Sequence, residues 1–215
     1  MAVLKEKDRK EVGQLLAGLT HDVRLLMFTQ EHECQWCETT RELVTEVAEL
    51  APKLNAEIHD FVAEKDLAGE YGIRRVPAIV VMGARDVGIR FYGVPAGYEF
   101  AALLEAIQAV GRNAHGLPDG VITELSRIEQ PVHLQVMVTP TCPYCAPAVV
   151  AAHRLAMASD QISADMVEVS EFPQIAMRYQ VQGVPKTIIN EDASFVGSQP
   201  VTNVVQEILK AVGGA

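Results

Sequence analysis

The sequence lacks the features that would tie it to a membrane or to nucleic acid. No segment approaches the roughly 18 uninterrupted apolar residues of a membrane-spanning helix, and residues 1–14 are charged, with no apolar core of signal-peptide length. Clustered Lys and Arg are also missing, and the formal net charge is −10. Because phosphate binding needs clustered cations, we expect neither nucleic acid nor a membrane among the partners. The simplest expectation is a cytoplasmic protein.

The sequence also has no unpaired cysteine. Its 4 cysteines form two Cys-x-x-Cys pairs, Cys34/Cys37 in ECQWCE and Cys142/Cys145 in TCPYCA. Structural disulfides usually join distant residues, because closing a long loop gives the larger entropic gain. A two-residue spacer is instead typical of redox dithiols and of metal sites. Three interpretations stay open at this point: redox dithiols, zinc ligands, or buried and inert thiols.

His32, His133 and His153 show no metal-ligand spacing with each other or with the cysteines. We expect His32, His133 and His153 to be surface or packing residues. A zinc site built from both pairs would also have to span the 104 residues between Cys37 and Cys142, whereas zinc ribbons typically span roughly 15 to 20. We therefore expect no metal.

A long internal repeat organises the chain. The first Cys-x-x-Cys recurs 108 residues later, and so does the pair Val76-Pro77, as Val184-Pro185. The motif FYG of the first half corresponds to FVG in the second, four residues sooner, which suggests a shortened hairpin turn. A period this long indicates two copies of one domain, and 215 residues suffice for two cores of about 100 residues each.

The hydrophobic spacing predicts an α/β fold in which each unit is a small mixed sheet covered by helices. The Gly-rich stretch GRNAHGLPDG predicts a boundary near Gly116, hence units 1–115 and 116–215. The second unit repeats the order of the first from about residue 118. For the first unit we predict helices over 5–18, 35–50, 64–71 and 98–111, and strands over 23–29, 56–62, 78–82 and 87–92.

These motifs carry a resemblance. An apolar strand, a Cys-x-x-Cys that opens a helix, and a Val-Pro some 40 residues later resemble the thioredoxin/glutaredoxin fold, and CPYC resembles glutaredoxins in particular. Two such units, CQWC first and CPYC second, resemble the protein disulfide oxidoreductases of thermophilic archaea and bacteria over nearly the whole chain. Residues 93–105, 139–145 and 165–186 add to the resemblance, whereas Trp36 stands where Tyr is expected.

The resemblance implies tandem thioredoxin-like units that reduce, form or isomerise protein disulfides and hints at a hot habitat. It implies no cofactor beyond the redox-active disulfides, and a thioredoxin-reductase-like flavoprotein as a candidate partner. Cys34 and Cys142 would be the nucleophiles. Pro77 and Pro185 would be cis, leaving the backbone of Val76 and Val184 free to pair with an extended substrate; a trans proline is the commoner geometry.

The chemistry also follows from the residues alone. A thiolate attacks a disulfide, and unpaired N–H groups at a helix start favour the thiolates of Cys34 and Cys142. Their partners Cys37 and Cys145 fall one turn inward, where they can resolve the mixed disulfide.

Two carboxylates share the 108-residue period, Asp60 and Glu168, each near the end of the strand before the short helix. A carboxylate behind a dithiol can accept the proton of the resolving cysteine. The alternative is a solvated strand end without a catalytic role.

The two pairs differ in the charge of their neighbours. Negative charge opposes a thiolate, so Cys142 should ionise more readily than Cys34 and the second disulfide should be the more oxidising. The neighbours concerned are Glu31, Glu33 and Glu38 beside Cys34, and Thr139, Thr141 and Ala146 beside Cys142.

Two other functions stay open. One is an electron relay, similar to the N-terminal segment of the flavoprotein reductases that serve peroxiredoxins, where one Cys-x-x-Cys survives. The other is a zinc-stabilised binding module. The presence of both pairs here favours the oxidoreductase.

Overall fold

The computed structural model describes residues 3–213, so residues 1–2 and 214–215 of the predicted units lie outside it. The predicted order of elements is confirmed in both halves. The first half contains α1 (Glu6–Leu16), β1 (Val23–Thr29), α2 (Cys37–Ala48), β2 (Leu54–Asp60), α3 (Lys65–Glu70), β3 (Ala78–Met82), β4 (Asp86–Tyr92) and α4 (Glu99–Arg112). The second contains α5 (Asp119–Leu125), β5 (Val132–Val138), α6 (Cys145–Ala158), β6 (Ile162–Glu168), α7 (Pro173–Arg178), β7 (Lys186–Ile189), β8 (Ala193–Val196) and α8 (Val201–Val212).

Each half has the expected mixed pairing. β1 lies parallel to β2 and antiparallel to β3, and β3 forms an antiparallel hairpin with β4. The second half repeats this arrangement with β5, β6, β7 and β8. The Cys-x-x-Cys helices α2 and α6 are therefore the crossovers that parallel pairing requires.

The two small sheets are joined, which the sequence did not predict. β4 pairs in parallel with β6, from Ile89↔Ala164 to Tyr92↔Val167, and the strand order is β2-β1-β3-β4-β6-β5-β7-β8. The joint pairs two strands that would otherwise be exposed sheet edges. Hydrophobic spacing within one unit carries no signal for such pairing between units.

Alternation along the strands divides the core between the two faces of the sheet. In β1, Leu25 and Met27 belong to the larger core cluster, whereas Leu26 and Phe28 belong to the smaller one. Helices α1, α2, α4, α5, α6 and α8 contribute buried side chains to the larger cluster, while α3 covers part of the smaller. The helices that carry the cysteines thus pack on the better-covered face.

The expected shortening of the second hairpin at its turn is confirmed. The equivalent pairs Val81↔Ile89 and Ile189↔Ala193 are joined by residues 82–88 in the first half and by residues 190–192 in the second, four residues fewer. This shorter connection explains why FVG comes sooner in the second half.

Besides the strand joint and the packing of α4 on α6, the start of α4 also contacts the second unit. The N–H of Tyr98 donates to the carbonyl oxygen of Pro140 at 3.1 Å. Gly97 has φ +60°, and a Cβ there would lie 2.2 Å from that same oxygen. Only glycine fits this close approach, which brings the first unit against the loop that holds Cys142.

The segment between α4 and α5 contains the predicted boundary. Asn113 closes α4 in a left-handed conformation, and Gly116 also has positive φ. The division into units 1–115 and 116–215 stays a prediction. No helix within residues 3–213 is long and apolar enough to cross a membrane.

Candidate functional site

The first dithiol lies in the loop between β1 and α2. Cys34 and Cys37 form a disulfide with Cα atoms 5.5 Å apart. The helix begins at Cys37, so the prediction that it begins at residue 35 is wrong by two residues, and Cys34 precedes its first turn. No side chain caps α2, so the first N–H groups of this helix donate to no capping side chain and stay available to the loop that holds Cys34. Cys34 is partly exposed and Cys37 is buried.

The second dithiol repeats this geometry with free thiols. α6 begins at Cys145, again without a side-chain cap, and Cys142 precedes it. The Sγ of Cys142 donates to the carbonyl oxygen of Val184 at 3.6 Å. Burial raises the pKa of the Cys145 thiol far above its usual value, and its hydrogen bond with Cys142 adds to the shift. Cys145 therefore needs a proton acceptor before it can act as a nucleophile.

Both Val-Pro peptide bonds are cis, as predicted. The N–H of Gly93 donates to the oxygen of Pro77 at 3.0 Å, and the N–H of Gly197 donates to Pro185 at 2.8 Å. The contact of Cys142 with Val184 places the second of these loops against its dithiol. The role of Val76 and Val184 in pairing with a substrate stays a prediction.

Asp60 and Glu168 occupy equivalent positions, opposite Thr29 and Val138 in the strand register. The Oδ1 of Asp60 accepts the N–H groups of residues 62 and 63, at 2.9 and 2.7 Å. Glu168 is buried, and its two oxygens accept the N–H groups of residues 170 and 171. Both carboxylates thus brace the turn after a strand, and their proton-relay role stays a prediction.

A third carboxylate, Glu99, was missed by the sequence analysis. It lies in the first turn of α4 and is fully buried, and neither oxygen has a hydrogen-bond partner within residues 3–213. Burial raises its pKa to about 8. The charge of Glu99 also contributes to the raised pKa of Cys145, after burial and the bond with Cys142. The first unit therefore supplies a titratable group to the second dithiol.

Only the close packing of α4 on α6 reveals this arrangement. In sequence, Glu99 is one more acidic residue at a helix start, where such residues are common for helix-dipole reasons. The sequence around Glu99 therefore carries no signal of its position beside the second unit.

The histidines fall where expected. His153 is buried against Phe91, with ring centroids 4.8 Å apart, and burial lowers its pKa to about 4. His133 pairs with Asp165 at 2.7 Å. Within the described part of the chain, no three His, Cys, Asp or Glu side chains are grouped to hold a metal.

The two dithiols lie at the same end of the sheet, where the parallel strands β1 and β5 have their carboxyl ends. Four strand spacings separate these strands, or about 19 Å at roughly 4.8 Å per spacing. A zinc ion bound by all four sulfurs would need each sulfur within about 2.3 Å. The fold is incompatible with that shared site.

A sulfur before a helix start, a buried partner sulfur at its first residue and an adjacent cis-proline define a dithiol–disulfide exchange site, and the chain has two. The family model described as "Thioredoxin domain" matches residues 25–105 and again 132–210. The chain therefore belongs to the thioredoxin-domain family and contains two such domains in tandem.

Solved structures match the tandem arrangement as a whole. A protein disulfide oxidoreductase from Aeropyrum pernix is 31% identical with a TM-score of 0.91, over 99% of this chain and 96% of that one. The NTD_N/C domain of the alkylhydroperoxide reductase AhpF from Enterococcus faecalis is 26% identical with a TM-score of 0.88, over 95% and 99%.

Among curated relatives, an alkyl hydroperoxide reductase component of Staphylococcus aureus is 23% identical over 169 residues. That match takes in 78% of this chain and 31% of the relative, so the chain spans about a third of the length of the curated relatives it matches. Fold, paired cysteines and these similarities make the chain a tandem thioredoxin-domain protein that is similar to a protein disulfide oxidoreductase.

Proposed function

We propose that both dithiols exchange with disulfides of other proteins, and that the chain reduces, forms or isomerises those disulfides according to the redox state it meets. The observation that carries this proposal is the presence of two complete sites, each with a Cys-x-x-Cys at a helix start and a cis-proline. The likeness to a protein disulfide oxidoreductase at 31% identity supports it.

The reaction at the first site starts from the reduced dithiol. The thiolate of Cys34 attacks one sulfur of the substrate disulfide, whose other sulfur leaves and takes up a proton. The Cys37 thiolate then attacks the Cys34 sulfur and releases the second substrate thiol. The substrate gains two electrons and two protons, and the chain is left with the Cys34–Cys37 disulfide. The reverse sequence forms a substrate disulfide, and neither direction needs a bound cofactor.

At the second site we propose Glu99 as the acceptor of the resolving proton, because it lies buried in the first turn of α4, the helix that packs on α6. Cys145 is buried with a raised pKa, and the charge of Glu99, whose oxygens have no hydrogen-bond partner in the described chain, contributes to that shift. A pKa of about 8 leaves part of the Glu99 population ionised near neutrality and able to accept a proton. Glu168 is a weaker candidate, because backbone N–H groups occupy both of its oxygens.

The two sites work in parallel. Sulfurs must come within about 2 Å to form a bond, whereas the strand order separates the two dithiols by about 19 Å. The joined sheet leaves no hinge between β4 and β6 to close that distance. Electrons therefore pass between the sites only through a substrate or a partner.

The partners we propose are protein disulfides or dithiols, with a thioredoxin-reductase-like flavoprotein as the source of electrons, in the cytoplasm. An electron relay to a peroxide-reducing system is the second candidate, favoured by the likeness to alkylhydroperoxide reductase. The retention of both Cys-x-x-Cys pairs favours exchange with protein disulfides over a dedicated electron relay.

The test is a redox titration. The protein is equilibrated in graded glutathione buffers, free thiols are trapped by alkylation, and each Cys-x-x-Cys peptide is read by mass spectrometry with zinc counted in parallel. Both pairs should oxidise reversibly in two-electron steps without zinc. Thiols that stay reduced and hold zinc would overturn the proposal and favour a zinc-stabilised module.

A further inference from the structure

A cleft of about 550 Å³ opens directly onto the first disulfide. Both Cys34 and Cys37 line it, although Cys37 is otherwise buried. On its β2 side it is lined by Ile58, whose surface is 39% exposed. A disulfide substrate of Cys34 has to lie beside this sulfur, so the cleft is part of the surface that the substrate meets.

The charges that line this cleft are mostly negative. Four carboxylates border it against one guanidinium, that of Arg41; the carboxylates are those of Glu31, Glu38, Asp60 and Glu64. Hydrogen bonds from His59 and from the N–H of Asp60 lower the pKa of Glu64, which keeps it ionised. No ion pair between residues 3 and 213 engages Glu31, Glu38 or Arg41, and all three are exposed.

The second site presents its carboxylates differently. Glu168 is buried with both oxygens bonded to backbone N–H groups, and Glu99 is fully buried. Two aromatic side chains are exposed there: Tyr144 between the cysteines is 69% exposed, and Tyr98, next to Pro140, is 52% exposed. The loop of residues 139–144 that holds Cys142 carries no charged side chain, so a substrate meets no acidic cleft there.

From this contrast we infer that the first dithiol selects disulfides flanked by positive charge, such as polypeptide segments with Lys or Arg beside the cysteine, whereas the second dithiol is indifferent to charge. This inference rests on the proposed exchange function and adds a substrate class to its first site. The physical cause is steering: a cleft lined by one sign of charge raises the local concentration of the opposite sign.

The experiment compares the sites one at a time in the full chain. Cys142→Ser/Cys145→Ser leaves the first dithiol, and Cys34→Ser/Cys37→Ser leaves the second. Each reduced protein is mixed with cystamine (cationic), hydroxyethyl disulfide (neutral) or oxidised glutathione (anionic), and oxidation is followed by quenched alkylation and mass spectrometry. Dividing each rate by that for the neutral disulfide removes the thiolate fraction, which all three reactions share.

At low ionic strength the rate with cystamine, divided by the rate with hydroxyethyl disulfide (the cystamine ratio), should be about 10-fold higher at the first site than at the second. The corresponding ratio for oxidised glutathione should be lower at the first site. At about 1 M salt, where the screening length is about 3 Å, the sites should converge. Glu31→Gln/Glu38→Gln should lower the cystamine ratio several-fold. Glu129→Gln/Asp192→Asn, which removes equal charge from exposed positions of the second unit, should leave it unchanged.

Equal ratios at both sites at low salt would overturn the inference while leaving the exchange function intact. A salt-independent ratio, or equal effects of the two double substitutions, would also overturn it. A first dithiol that reacts with none of the three disulfides would instead contradict the proposed function itself.

Discussion

The two dithiol sites share one local sequence pattern but lie in different surroundings. The first is on β1, one strand from the free edge formed by β2, and its carboxylates face an open cleft. The second is on β5, beyond the joint between β4 and β6, and the first unit packs against it through Tyr98 and Glu99. An internal repeat therefore does not make equivalent sites, because the fused sheet gives each copy different neighbours.

Removal of a resolving cysteine should give the largest difference between the two sites, because turnover stops only at the site that loses it. Cys145→Ser should abolish turnover at the second site and trap a mixed disulfide on Cys142, because no thiolate remains to release the substrate. The matched variant Cys37→Ser should trap the substrate on Cys34. Mass spectrometry of the adducts identifies the sulfur that attacks. Adducts on the resolving position, obtained with the complementary variants Cys34→Ser and Cys142→Ser, would reverse the assigned roles.

The next largest effect concerns Glu99. Glu99→Gln should slow release of the mixed disulfide at the second site by roughly 100-fold, the low end of general acid–base contributions, and leave the first site unaffected. In the parent protein the rate of this step should increase as pH rises towards about 8, where Glu99 ionises. In the variant this increase of the rate with pH should be absent.

Rapid quench of single turnovers at several pH values measures this step. Glu168→Gln is the control, because the oxygens of Glu168 already accept backbone N–H groups of the turn after β6. A larger effect from Glu168→Gln than from Glu99→Gln would return the proton-relay role to the sequence-predicted position.

A change at the contact between the units should have a smaller effect, on the free energy of unfolding. Gly97→Ala should destabilise the protein by about 1–3 kcal/mol, because it forces positive φ and a Cβ against the Pro140 carbonyl. Gly120→Ala in α5 is the matched control: nothing lies within 4 Å of its added Cβ, and it should stabilise by up to about 1 kcal/mol. Denaturant unfolding measures both. A neutral Gly97→Ala would contradict the close approach.

The pH dependence of the unfolding free energy gives a further test of the buried Glu99 carboxyl. Burial raises the pKa of Glu99 from 4.5 to about 8, so the folded state holds a proton that the unfolded state releases. Its contribution is fully present below pH 4.5 and is lost as pH rises to about 8. Glu99→Gln should remove that decline from the unfolding free energy, and an unchanged slope would contradict the burial of a lone carboxyl.

The sequence predicted what depends on short segments. The order of elements, the repeat and the cis geometry at Pro77 and Pro185 follow from local patterns and from the family likeness. It did not predict the joint between β4 and β6, because edge pairing depends on the unit next along the sheet. It missed Glu99 for the same reason: the packing of α4 on α6, and not the sequence around Glu99, brings this residue to Cys145.

If the chain holds two complete exchange sites that act independently, one reduced chain can reduce two substrate disulfides. The most direct test is to count substrate disulfides reduced per fully reduced chain in a single turnover with insulin, for the parent protein and for Cys34→Ser/Cys37→Ser and Cys142→Ser/Cys145→Ser. We expect two disulfides for the parent and one for each variant. A variant that reduces none while its remaining dithiol is intact would show that the sites depend on each other, and would contradict this expectation.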